Sequence, residues 1–282
     1  GLSANVSYTY ADSKVIIDGV GDQPGSAWKA LVSQRGTNNK ELGYASYVMP
    51  HRIVANVSYA KDYAKYFGSQ ISLSYYGGPR GRANIDYVSN VFGDGAYNYS
   101  LIDIPTYKDL YGDKGWGTGN WTFKDQTDKE GNITYSAAEQ CEDFWKYIQS
   151  NDYLKSHTGS VNERNAVVSP WVHTFDLKFN QNFYFYTGAK HKKHTVQLGV
   201  DVENFANLLS PYWGNVYSIN AGDGYGNAIP VNLTNAKAVY TTGAKPVFQY
   251  QKNGSDRLTD LYSVSNGFSS TWQIIFNLRY IF

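Results

Sequence analysis

Few side chains in this sequence are placed to bind a metal ion. The five histidines are His51, His157, His173, His191 and His194, and the single cysteine is Cys141. Only the last two histidines are close in sequence, and the two lysines between them repel a cation. Because a metal centre needs convergent ligands and outer partners that orient them, we expect no metal site and no cofactor.

Two polar turns have oxygen ligands beside glycines, from Asp128 to Asn132 and from Asp223 to Asn227. Calcium prefers such oxygens, but neither turn has the full ligand spacing of a calcium loop. Ordinary polar turn chemistry is the preferred interpretation. Covalent catalysis needs a nucleophile with an adjacent base, and the sequence has no Gly-x-Ser-x-Gly pattern. We therefore expect no enzyme.

Aromatic side chains are the most abundant chemically useful groups, with 26 Tyr, 13 Phe and 7 Trp. Five of them lie in segments without strand periodicity: Trp28, Tyr107, Tyr111, Trp116 and Trp121. Exposed rings in loops stack on ligands, so these residues are candidate ligand-binding residues for a sugar or a peptide. The alternative, that the rings pack the loops together, stays open.

The last thirteen residues alternate with period two, as a strand does. One face carries Trp272, Ile274, Phe276, Leu278, Tyr280 and Phe282, and the other carries Gln273, Asn277 and Arg279, with Ile275 and Ile281 as exceptions. An apolar face that begins and ends in aromatic residues is typical of a strand in an outer-membrane β-barrel. The terminal strand of a soluble sandwich is the alternative.

Composition agrees with a barrel. The chain has 282 residues, and charged residues are 17%, below the roughly 25% of soluble domains. Mean hydropathy is −0.47, and no apolar run approaches the ~18–20 residues of a spanning helix. A net charge of +1 argues against a nucleic-acid partner. No signal peptide follows Gly1, so we expect the C-terminal part of a longer exported protein.

Alternation predicts seven further strands, at 1–11, 52–59, 70–75, 170–183, 194–206, 212–219 and about 236–250. A terminal strand that ends in the periplasm makes 12–46, 78–169 and 251–269 extracellular loops and 60–66 and 184–193 short periplasmic turns. Segment 220–235 fits poorly, since it is long for a periplasmic turn. A capping box at Ser136 and Glu139 predicts one helix at about 137–150.

The predicted fold class is therefore all-β. Residues 1–282 form one antiparallel transmembrane β-barrel segment of about eight strands, with long extracellular loops and one short loop helix. On its polar face we expect Asp176, Lys178, Asp201, Glu203, Asn277 and Arg279. These side chains pair across strands or contact another domain inside the barrel, and cross-strand pairing is preferred.

Four stretches resemble one protein family. They are Pro50–Tyr59, Asp152–Leu154 with Glu163–Ala166, Ser169–Phe179 and Asp201–Leu209. In this order and spacing the chain resembles the C-terminal part of a TonB-dependent outer-membrane receptor, of the Oar-like group of Bacteroidetes with an N-terminal carboxypeptidase-regulatory-like domain. Lys178 stands where this family usually has arginine, a mild departure.

The resemblance implies a barrel of about 22 strands with a plugged lumen, of which this chain is the last third. It implies location in the Gram-negative outer membrane and TonB-dependent uptake of a large nutrient. The implied partners are outer-membrane lipid, the barrel-assembly machinery through the C-terminal strand and TonB through a plug region outside this chain. A surface lipoprotein is a further candidate partner. A non-transporting surface-binding or adhesion protein is the alternative.

Overall fold

The computed structural model describes residues 1–18, 21–39, 41–96, 100–189, 192–224 and 226–282. Strands make up 45% of the described structure, so the all-β class is confirmed. The strands are β1 Leu2–Tyr10, β2 Lys14–Val15, β3 Gly43–Tyr44, β4 His51–Tyr63, β5 Phe67–Pro79, β6 Arg82–Tyr87, β7 Tyr111–Gly112, β8 Gly115–Trp116, β9 Thr122–Phe123, β10 Gln126–Thr127, β11 Ile133–Tyr135, β12 Val167–Val168, β13 Trp171–Thr187, β14 Lys192–Glu203, β15 Tyr217–Ile219, β16 Asn227–Leu233, β17 Val247–Tyr250, β18 Lys252–Asn253, β19 Asp256–Arg257, β20 Tyr262–Val264 and β21 Gln273–Ile281. The helices are α1 Pro24–Lys29, α2 Tyr107–Leu110, α3 Ala137–Gln149, α4 Asp152–Ser156, α5 Phe205–Leu209 and α6 Ala236–Thr242, with a 3₁₀ turn at Phe268–Ser270.

Six long strands form the main sheet, in the order β1-β4-β5-β13-β14-β21, and every neighbouring pair is antiparallel. The order follows the chain, so each long strand pairs with the next long strand. The sheet is open, because β1 and β21 each pair with one neighbour among the described residues. The prediction of about eight strands is wrong by two.

All short connections lie at one end of the main sheet. Residues 64–66 join β4 to β5, with Ala64 and Lys65 in the left-handed region at φ 47° and 59°, and residues 188–191 join β13 to β14. Connections 11–50, 80–170 and 204–272 lie at the opposite end. We call these the turn end and the connection end. The predicted division into short turns and long loops is therefore found.

The two surplus strands belong to the last connection. Of 212–219, only Tyr217–Ile219 is a strand, and it pairs with β20. Of 236–250, the first half is helix α6 and Val247–Tyr250 joins a second sheet. Alternation is the same in every half-buried strand, so it does not tell which sheet a strand joins. With this correction, segment 220–235 is no longer a long periplasmic turn but part of one long connection.

The long connections fold into a second layer with its own core, which we call the second layer or the connection layer. Its five-stranded sheet has the order β12-β6-β16-β17-β9, with parallel pairs β16–β6 and β17–β9. Side chains from 78–169 and from 204–272 meet in one buried cluster that includes Ile85, Ile104, Leu110, Phe144, Tyr147, Val231, Tyr250 and Leu258. Segment 78–169 is therefore a folded layer, and the prediction of a single loop helix is wrong.

The helix predicted at about 137–150 is confirmed as α3. The Ser136 hydroxyl accepts from the Glu139 backbone N–H, and the Glu139 carboxylate accepts from the Ser136 N–H, which is a capping box. Cys141, Phe144 and Ile148 are buried on one face of the helix, at the spacing that brings side chains together. The predicted helix exists because its cap and its apolar face are both local features of the sequence.

We expect Gly43→Ala to destabilise the junction between the first connection and the second layer. A Cβ at position 43 would lie 2.7 Å from Arg164 Cβ and Nε. The Arg164 guanidinium donates to the Ile16 carbonyl at 2.7 Å and to the Val15 carbonyl, so moving it breaks two hydrogen bonds. Overpacking of this kind costs about 1–3 kcal/mol, measurable as a lower midpoint of urea unfolding.

Gly25→Ala is the matched control for this prediction. A Cβ at Gly25 meets nothing within 4 Å, and the residue lies in helix α1, where alanine is the better helix former. We expect no loss of stability. Equal losses for both variants would contradict the role assigned to Gly43.

Candidate membrane face and aromatic surface

The register of the main sheet places one apolar face across all six strands. Central positions on this face are aliphatic or aromatic in every strand: Val6, Val57, Leu73, Leu177, Phe179, Val200 and Phe276. We call this surface the apolar face. Phe276, Leu278 and Phe282 are 78%, 76% and 77% exposed, and soluble monomers rarely expose contiguous apolar surface on this scale.

The six predicted membrane-facing residues of the terminal strand are all exposed, and the register of β21 places four of them on this face. β21 pairs with β14 so that Ile274, Phe276, Leu278 and Tyr280 stand opposite Val202, Val200, Leu198 and Val196. Trp272 precedes β21 and Phe282 follows it. Their alignment with apolar partners shows that the face continues beyond a single strand.

Aromatic rings border the apolar face at both ends. At the turn end, Phe67 contacts Phe183 with ring centroids 5.7 Å apart, and Phe185 stacks with Tyr280 at 6.3 Å. At the connection end, His51 stacks with Trp171 at 6.0 Å. The rings enclose a mainly aliphatic centre, interrupted near the turn end by a polar group of Lys61, Ser69 and Gln181.

Tyrosine–histidine hydrogen bonds occur at these borders. The Tyr8 and Tyr75 hydroxyls each lie 2.8 Å from a histidine Nδ1, of His51 and His173 respectively. Tyr280 Oη lies 2.6 Å from His194 Nδ1. Each imidazole thus has a phenol partner on the apolar face.

The predicted absence of a metal site rested partly on His191, which lies outside the described residues.

The opposite face of the main sheet is polar. Lys178 Nζ lies 2.8 Å from Asp201 Oδ2, and Asn277 donates to the same oxygen at 2.9 Å. Asp176 accepts from the Asn204 backbone N–H at 2.8 Å. Cross-strand pairing, the preferred interpretation of these charged residues, is therefore found for Lys178, Asp201 and Asn277. Glu203 and Arg279 lie on the same face.

Three of the five predicted ligand-binding aromatics come together in the connection layer. Tyr107 stacks on Tyr111 with ring centroids 5.1 Å apart, and Trp116 meets Tyr111 edge-on at 5.1 Å. Trp145 of helix α3 joins them, 5.4 Å from Tyr107. Tyr107 and Tyr111 are exposed. Sequence reasoning missed Trp145, whose only signal was its place in the predicted helix.

Trp121 and Trp28 lie elsewhere. Trp121 stacks on Phe248 with ring centroids 4.2 Å apart and contacts Phe144 at 5.7 Å, so it covers the core of the second layer. The Trp28 indole N–H, in α1, donates to Asn38 Oδ1 at 3.2 Å. Within the described residues, neither ring stacks on the rings of Tyr107, Tyr111 or Trp116. Packing is thus the observed role of Trp121.

We expect Trp121→Ala to destabilise the second layer by about 2–4 kcal/mol, because it removes a ring stacked on the core. Trp213→Ala is the matched control, since Trp213 is exposed, and it should cost less than half as much. Chemical denaturation followed by the remaining tryptophan fluorescence measures both. Equal costs would contradict the distinction between core and surface rings.

The polar turns and the cysteine are engaged in the fold. Asp128 accepts from the backbone N–H groups of Glu130 and Asn132, and the Asn132 side chain and backbone hold the pKa of that carboxyl below its ordinary value. Asp223 accepts from the Asn227 backbone and side chain. Burial raises the pKa of the Cys141 thiol to about 12, so it is not a thiolate nucleophile at neutral pH.

One carboxyl group of the second layer is buried without a hydrogen-bond partner. Asp86 of β6 has no exposed surface, and neither oxygen has a partner among the described residues. Burial, together with the charge of Asp223, raises its pKa well above the ordinary value. Desolvation of this kind favours the protonated acid. No sequence pattern distinguished Asp86 from other aspartates.

Comparisons with known proteins identify no relative of this chain. No protein-family model, no curated protein and no solved structure matches it. In the described ranges, no three His, Cys, Asp or Glu side chains group as a metal site would require. The helices found there are all too short or too polar to cross a membrane.

Proposed function

We propose that this chain is a wall segment of an outer-membrane β-barrel, in a TonB-dependent receptor of the Oar-like group that imports a large nutrient. The observation that carries the proposal is the apolar face, which runs over six strands between two aromatic borders and lies opposite a polar face. A barrel wall has this arrangement because one side meets lipid and the other the polar interior.

Strand length supports the proposal. The six strands of the main sheet contain between 9 and 17 residues, and a tilted strand needs about 9–11 residues to cross a bilayer. The connections also support the proposal. Barrels have short turns on the periplasmic side and long loops outside, and the main sheet has short connections at one end and long ones at the other. The turn end would then face the periplasm and the connection layer the cell exterior.

The edges of the sheet support a larger barrel. Every residue of β1 and β21 is exposed. Among the described residues, each of these strands has one unpaired edge, a template on which another strand can pair. Further strands of the parent protein would pair there and close the wall around a plug. The terminal strand β21 would be the element that the barrel-assembly machinery recognises.

The connection layer would capture the ligand. Tyr107 and Tyr111 present exposed rings that stack on each other, and such rings bind the flat faces of sugars or peptide side chains. Capture there, followed by plug movement driven through TonB, would carry the ligand inward. This chain would supply binding surface and wall, and the plug would supply the coupling.

Lipid contact is tested with single-cysteine variants Leu73→Cys and Gln70→Cys, labelled with a polarity-sensitive fluorophore in vesicles that contain brominated lipid. Leu73 lies on the apolar face and Gln70 on the polar face of the same strand, and the native Cys141 is buried. We expect strong quenching at position 73 and weak quenching at position 70. Equal quenching would overturn the assignment of the faces.

TonB coupling is tested separately in cells with the parent protein. Photo-cross-linking of the parent protein to TonB should succeed in energised cells and fail when the N-terminal plug region is removed. A parent protein that lies in the outer membrane but never cross-links to TonB would favour the second candidate, a surface-binding or adhesion protein. The exposed Tyr212, Trp213 and Phe268 of the last connection favour that alternative, since exposed aromatic rings mark binding surfaces.

A further inference from the structure

Two arginines share one tyrosine ring on the polar face of the main sheet, at its connection end. The Arg52 guanidinium carbon lies 5.7 Å from the Tyr76 ring centroid, and that of Arg80 lies 5.1 Å from it. Both distances are within the range of cation–π attraction. Arg80 Nη2 also donates to Thr174 Oγ1 at 3.1 Å. The Tyr76 ring thus has two positively charged guanidinium groups beside it.

In the part of the chain that the structure describes, neither of these two charges has a partner of opposite sign. Within the described ranges, no carboxylate oxygen lies within 4.0 Å of either guanidinium, whereas Lys178 on the same face is paired with Asp201 at 2.8 Å. The acid nearby on β13, Asp176, accepts from the Asn204 backbone N–H. Among the described residues, Lys178 is thus charge-paired on this face, whereas neither Arg52 nor Arg80 is in an ion pair.

We propose that Arg52, Tyr76 and Arg80 form a binding site for the carboxylates of an acidic peptide segment. A guanidinium fork pairs with a carboxylate through two parallel hydrogen bonds, and the Tyr76 ring packs the methylene groups of a glutamate. In an extended peptide, side chains two positions apart point the same way about 6.6–6.8 Å apart. Two such carboxylates suit two guanidinium groups that border one ring.

The surroundings favour carboxylate over phosphate. Phosphate sites commonly recruit free backbone N–H groups at helix N-termini or in nests. Tyr76 pairs with Val54 on one side and Thr174 on the other, so its backbone is inside the sheet ladder and the donors offered are side chains. A lipid head group is also disfavoured, because Arg52 and Tyr76 lie on the face opposite the apolar one and Arg80 donates to Thr174 on that same polar face.

The experiment uses the 282-residue chain folded in detergent and a fluorescent peptide that alternates glutamate with serine. A peptide with glutamine in place of glutamate is the ligand control. Fluorescence anisotropy at low salt should show binding of the acidic peptide only. We expect the double variant R52Q/R80Q to lower its affinity by about tenfold or more. R52K/R80K keeps the charge but loses the fork, so it should lose part of that affinity.

Arg279→Gln is the matched variant, because Arg279 is a cation on the same polar face next to Gln197 of β14. We expect R279Q to bind the acidic peptide with the same affinity as the unsubstituted chain. The β-sheet circular dichroism should be unchanged in all variants. An equal loss for R279Q and R52Q/R80Q would overturn the site in favour of diffuse charge attraction. Displacement of the peptide by inorganic phosphate but not by acetate, at matched ionic strength, would also overturn it. The assay measures the isolated chain and does not depend on the transport proposal.

Discussion

Leu73→Arg is expected to destabilise the chain in phospholipid vesicles by about 2–4 kcal/mol, the cost of an arginine at the bilayer midplane on a barrel strand. Leu73 stands between Val57 and Leu177 in the register of the main sheet, in the aliphatic centre of the apolar face. A charge there has no polar neighbour in the same row of the sheet. Urea unfolding in vesicles, with loss of heat-modifiable migration as a second readout, measures the effect.

Gln70→Arg is the control for this change. Gln70 lies three residues away in the same strand, on the polar face, between Ala60 and Asn180. Gln70 is half-buried on a polar face, and we expect a cost of about 1 kcal/mol or less, well below that of Leu73→Arg. Equal, small effects at both positions would show that water covers both faces, and the membrane proposal would fail.

Asp86→Asn is expected to stabilise the second layer at neutral and alkaline pH. The folded-state pKa of Asp86 is raised by burial and by the charge of Asp223, so the folded state keeps a proton that the unfolded state releases above about pH 4. The stability that this proton supports is complete below that pH and is lost as pH rises through the folded-state pKa. Asparagine cannot ionise, so the variant does not lose stability as pH rises.

The size of this effect follows from the burial of Asp86. A buried polar group without a partner costs about 1–3 kcal/mol, and asparagine avoids the additional cost of a buried charge. Thermal unfolding from about pH 4 to pH 8 should therefore show a falling midpoint for the parent chain and a flatter profile for the variant. Asp113→Asn, at an exposed aspartate, should keep the slope of the parent chain. Parallel profiles for D86N and the parent chain would contradict the assignment.

Several features could be predicted from the sequence because they are local. Which side of a strand a residue occupies depends only on its position along that strand. The two faces at 270–282 and at 170–183 were therefore predicted, and β13 and β21 show them. Helix α3 could be predicted for the same reason, since its cap joins Ser136 to a residue three positions on.

Only the tertiary structure decided which strands pair and which rings are covered. Val247–Tyr250 alternates like a strand of the main sheet but joins the second layer, because pairing is a choice among distant segments that the period of one segment does not contain. Trp121 and Tyr107 both lie in segments without strand periodicity, yet Trp121 stacks on Phe248 and Tyr107 is exposed. Burial of Asp86 and the meeting of Arg52 with Arg80 across Tyr76 likewise depend on segments far apart in the chain. The sequence by itself therefore determined the all-β class, the two faces of the strands and the helix, while contacts between distant segments determined the second layer, the exposed aromatic group and the arginine pair.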